Sequence, residues 1–231
     1  METRRFIDPS EFRGELGEIP LSFLVHDLLS LDSVEKARMT ERVQAFGGLL
    51  RVMVHPWYGR NRGYQTGERE RNIENFIADY LAKSKQETPA MLFLEEKDYY
   101  ESSKRWIKGR VKESFNEAYL LPTRYRVATP NILDTEEPKP QWDAFSKILS
   151  DVGVKKVIAG GTQFTLVDPE SPCFSGKQKI EYSALMEEYR IYKNLPGKVL
   201  PGLGICVART AVELMKRGFE VEISSLVAPD K

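Results

Sequence analysis

GICVARTAVELMKRGFEV, residues 204–221, is the stretch whose reading decides the fold. It is an amphipathic helix that opens on a cysteine, closes at Arg217-Gly218 and leads directly into a buried strand from Phe219. A helix feeding an apolar, β-branched strand is half of a βαβ unit. The chain upstream supplies more of the same. LLRVMVH (49–55), AMLFLEE (90–96) and VKKVIAGG (154–161) are short apolar runs separated by segments with helical patterning. AYLLPTRYRVATP (118–130) is a further extended segment, weakened by Pro122. This alternation predicts an α/β fold: an open, mostly parallel sheet with helices on both faces, a Rossmann-like three-layer arrangement.

Ahead of Gly47 the sequence reads as helical. LSFLVHDLLSL (21–31) precedes a second helix whose start carries a capping pattern, Asp32 followed three residues later by Glu35. Residues 1–46 are therefore expected to be a helical N-terminal extension, and 47–231 an α/β domain. Within that domain, residues from about 165 to 200 read as an insertion: an irregular stretch with Asp168, Pro169, Pro172 and Gly176, then a helix through EYSALMEEYRIYKNL closed by Pro196 and Gly197. A helix is also expected from about Glu68 to Lys85, with Ile73, Phe76, Ile77, Tyr80 and Leu81 on one face.

Composition narrows the function classes. Lys and Arg number 34 against 34 Asp and Glu, so no global field draws the chain to nucleic acid or to an anionic membrane. No apolar run approaches the roughly 20 residues that span a bilayer. METRRFIDPSEF lacks the apolar segment of a secretory signal, which makes a cytoplasmic protein the expectation. Two cysteines, Cys173 and Cys206, build neither a disulfide framework nor a cysteine zinc cluster, and the chain has only two histidines, His26 and His55. No metal and no cofactor are expected. The expected partner is a small-molecule substrate or ligand.

Open parallel sheets bind ligands beyond the carboxyl ends of their strands. On that rim the sequence places His55 to Tyr64, Glu95 to Tyr100, Thr129 to Lys139, Gly160 to Phe164 and the final residues. Cys206 enters the same rim at a helix start, where free N–H groups and the helix dipole lower a thiol's pKa and offer donors to an oxyanion. The bland alternative is a cysteine packed in an apolar interface. Trp57, Tyr58, Arg60 and Arg62 combine aromatics with guanidinium groups suited to an anionic or planar ligand, or else form a solvated loop. Gly161, Thr162 and Gln163 complete the set of expected substrate contacts. Glu95 and Glu96 read either as an acid or base, or as a strand end with at least one exposed side chain.

Two segments together resemble the isochorismatase-like cysteine hydrolases. VIAGG (157–161), Cys206-Val207, Thr210-Ala211 and Arg217-Gly218-Phe219-Glu220-Val221 match the family's glycine-ended strand, Cys-Val helix start and helix closing on Gly-aromatic. Upstream, Lys139-Pro140-Gln141-Trp142-Asp143-Ala144-Phe145 matches the segment that carries the family's lysine. The resemblance implies Cys206 as nucleophile, Lys139 as charge stabiliser, and a base at the end of the first strand. The family has an aspartate there, whereas this chain has His55, read either as a substitute base or as an ordinary strand-end histidine. The insertion also separates Gly161 from Cys206, which the family keeps a few residues apart.

Two functions follow. The first is a cysteine-dependent hydrolase of a small amide, imide or vinyl-ether-like substrate. The second is a catalytically silent protein of the same fold that binds a ligand or assembles as a homo-oligomer through the insertion and N-terminal helices. A dinucleotide-binding turn at Gly202-Leu203-Gly204, with Glu222 as the ribose acid, fits less well. Val207 stands at its third glycine position and Pro201 interrupts the strand it needs.

Overall fold

A computed structural model describes residues 25–55, 88–109, 117–124, 128–161, 176–195 and 205–223. In chain order the strands are β1 (Val25–Asp27), β2 (Leu49–Val54), β3 (Ala90–Glu96), β4 (Ala118–Arg124), β5 (Thr129–Pro130), β6 (Lys156–Gly161) and β7 (Glu220–Ile223). The helices are α1 (Ser33–Ala45), α2 (Tyr100–Gly109), α3 (Pro138–Asp151), α4 (Gly176–Tyr192) and α5 (Ile205–Met215), with 3-10 turns at Leu28–Ser30 and Lys97–Tyr99.

The sheet runs β1-β4-β3-β2-β6-β7 with every one of these pairs parallel, and β5 adds an antiparallel bridge to β4. Leaving out β1, the order is that of a doubly wound Rossmann sheet. Register explains the near-continuous apolar strands. Leu50, Val52 and Val54 lie level with Ala90, Leu92 and Leu94 on one side and with Val157, Ala159 and Gly161 on the other. Their face packs in one core with Met39 and Val43 of α1, Trp142, Phe145 and Leu149 of α3, and Val207, Ala211 and Val212 of α5. The alternate residues Met53, Met91, Phe93 and Leu120 are buried on the opposite face, to which α2 belongs. Burial on both faces is what makes parallel strands read as unbroken hydrophobic runs.

Pro122 sits inside β4 without breaking it. Its carbonyl accepts the Asn131 N–H at 2.9 Å, on the side of β4 away from β3. A parallel strand points one residue's N–H and C=O the same way, so the missing donor falls on the side where β1 has already ended, opposite Leu120.

The helical expectation for the N-terminal segment holds in part. α1 begins with the full capping box: Asp32 Oδ1 accepts the Glu35 N–H at 2.8 Å and Glu35 Oε2 accepts the Asp32 N–H at 2.9 Å. Val25–Asp27, however, is a strand, and Leu28–Ser30 a single 3-10 turn. His26 therefore lies on a sheet edge and not on an amphipathic helix. LSFLVHDLLSL has too many apolar residues for its period to choose between helix and strand, and pairing with Ala118–Leu120 makes the choice. Leu185, Met186 and Tyr189 of α4 belong to the main core, and Lys216 after α5 forms an ion pair with Glu188.

Candidate functional site

β2 is the point where the winding reverses. From it the chain proceeds outward through β3 to β4, then crosses back to β6 on its other side and out to β7. The crevice at such a reversal, beyond the carboxyl ends of the strands, is where α/β sheets hold ligands. Here those ends belong to β2 and β6. They pair in regular register, Val54 with Gly161, and Gly161 has φ +142°, so that a Cβ on it would lie 2.1 Å from the Val54 carbonyl oxygen. Only glycine adopts that conformation against a paired strand.

His55, immediately after β2, occupies the left-handed region at φ +52°, which non-glycine residues seldom adopt. Its N–H donates to the Leu94 carbonyl at 2.7 Å. Its ring passes over the end of β3, bringing Nε2 to 2.9 Å from Thr123 Oγ1 on β4. With 1 % of its surface exposed, His55 has its pKa pushed by burial down to about 3, so the imidazole is neutral. Thr123 and Glu96, level with each other in the β4–β3 register, are buried at the same strand ends, and Glu95 is buried on the other face of β3; Glu95 and Glu96 are 0 % and 2 % exposed. Glu95 Oε1 accepts the Glu96 N–H at 2.9 Å. The expectation that a strand end leaves one of these glutamates in solvent is not met.

Cys206 is the second residue of α5 and is 3 % exposed. Its thiol is pushed up to about 12, first by burial and then by the negative charge of Glu96. The helix start was expected to favour a thiolate. Desolvation and a nearby carboxylate act the other way and outweigh it, because a dipole end contributes little against removal of the anion from water. Cys206 is thus a protonated thiol facing a carboxylate.

Lys139 stands elsewhere. It is exposed in the first turn of α3, and its ammonium takes part in no hydrogen bond or ion pair among the described residues. Its carbonyl accepts from Arg217 Nη2 at 3.4 Å, and the same guanidinium binds the Glu213 carbonyl at 2.9 Å. Glu213 lies seven residues along the chain from Cys206, roughly 10 Å further down the helix at about 1.5 Å per residue. The head of α3 therefore sits against the far half of α5, not against the end that carries Cys206. The rest of the KPQWDAF segment is structural. Trp142 and Phe145 fill the core, and buried Gln141 accepts from the Ile132 and Leu133 N–H groups at 2.8 Å while donating to the Leu133 and Thr135 carbonyls at 2.7 Å.

Among the predicted substrate contacts, Gly161 is at the carboxyl end of β6, paired with Val54. Trp57, Tyr58, Arg60, Arg62, Thr162 and Gln163 lie outside the described residues, as do Cys173 and the predicted helix over 68–85. Sequence reasoning passed over Thr123 altogether, because a threonine within an extended run carries no signal until the fold places His55 against it. No cluster of three or more metal-ligating side chains occurs among the described residues, and none of their helices is long and apolar enough to cross a membrane. The comparisons with known proteins give nothing to set beside this geometry: no family model, no curated protein and no solved structure matches the chain.

Proposed function

We propose that this protein binds a small polar molecule in the crevice beyond β2, β3 and β6, and that it does so without a resting cysteine thiolate. One observation carries the reading: His55, Glu95, Glu96, Thr123 and Cys206 are all buried at the carboxyl ends of the strands, around the reversal point of the sheet. The burial gathers polar side chains at the end of an α/β sheet where ligands bind. A thermal-shift screen against amines, polyols and nucleotides tests it. At least one class should raise the melting temperature of the wild type, with the shift lost in Glu96→Gln and in His55→Asn. Hits that survive both substitutions would place binding elsewhere.

The Glu96 charge acting on Cys206 favours a second reading, in which the site hydrolyses a small amide, imide or vinyl-ether-like substrate. On this reading Glu96, rather than His55 or Lys139, would take the thiol proton as sulfur attacks an amide or imide carbon, return it to the nitrogen as the C–N bond breaks, and leave water to release the acyl group from sulfur. Cys206→Ala would abolish such turnover and Lys139→Ala would spare it. The two readings part on thiol reactivity as well. A buried thiol gives negligible alkylation by iodoacetamide from pH 7 to 9 in the folded protein, with ordinary thiol reactivity near a pKa of about 8.5 once unfolded. Rapid folded-state labelling of Cys206, distinguished from Cys173 by peptide mapping, at pH 7 would overturn the binding-only reading.

A further inference from the structure

We draw no further inference here: the strongest candidate, the part-buried His26–Glu35 contact that ties strand β1 to the head of α1, joins two structural elements with nothing in the structure to show what its release would do, while the Glu95–Glu96 pair belongs to the site already described.

Discussion

Both ends of this sheet bury charge, but to different ends. At the amino ends of the strands the side chains tie backbone together. Arg42, buried on α1, donates to the carbonyls of Thr88, Pro89 and Glu117 at 3.1–3.4 Å, joining the approaches to β3 and β4. Glu117 is met by Arg38 at 3.5 Å and by the Tyr119 hydroxyl at 3.2 Å, and His26 stacks on Tyr119 while binding Glu35 at 2.8 Å. At the carboxyl ends, His55 is held in a left-handed backbone conformation, two adjacent carboxylates are buried, and a thiol is kept protonated. Opposite charges and carbonyls satisfied by a guanidinium describe scaffolding. A left-handed residue at a strand end and a buried, protonated thiol describe a site, since such features persist only where the surrounding structure enforces them.

The contrast can be broken from either end. Arg42→Met should be the most damaging change, because it strips three buried carbonyls of their shared donor. A loss of about 4 kcal/mol in urea unfolding is expected, and a loss under about 1 kcal/mol would deny the amino end its structural role. Gly161→Ala should cost about 3 kcal/mol, since its methyl group overlaps the Val54 carbonyl; a near-neutral result would show that β2 and β6 can part at the crevice.

The His55 environment predicts a pH signature. Its folded pKa lies far below the unfolded value of about 6.5, so the unfolded state binds the extra proton and stability falls as pH drops from there toward about 3. Relative to His55→Asn, whose side chain tolerates the left-handed backbone, the wild type should lose up to about 1.4 kcal/mol per pH unit in that window. Parallel pH profiles would show that His55 titrates normally and is not desolvated. Glu35→Ala should give the smallest effect, about 1 kcal/mol, through loss of the capping box and the His26 contact together. Unchanged amide exchange at His26 and Asp27 in that variant would show that β1 is held by its backbone pairing alone.

Much of the architecture was legible in the chain. The run AMLFLEE coincides with β3 at both ends, and Asp32 with Glu35 marks the start of α1, because a strand buried on both faces and a capping box are local signals. VHD was not legible as a strand, since three residues hold no period and their partner lies in β4. The site was legible as a rim and less so as chemistry. Helix position alone suggested an activated Cys206, but the thiol's state depends on burial and on Glu96, which is 110 positions away in sequence. Lys139 matched a motif by its neighbours, and those neighbours proved to be core and loop-holding residues whose spacing says nothing about where an exposed ammonium ends up.

The pairing of β2 with β6 also governs the order in which the protein can be made. β2, β3 and β4 are adjacent in the chain and in the sheet, so they can zip together as soon as they emerge during synthesis. The other edge of β2 must wait for Lys156–Gly161, about a hundred residues later in the chain. Until then an apolar strand, Leu49–Val54, has an open edge able to recruit other chains. Folding speed, and the yield of folded protein, should therefore depend on how soon β6 docks, which ends at Gly161 in the conformation that lets it pair with Val54.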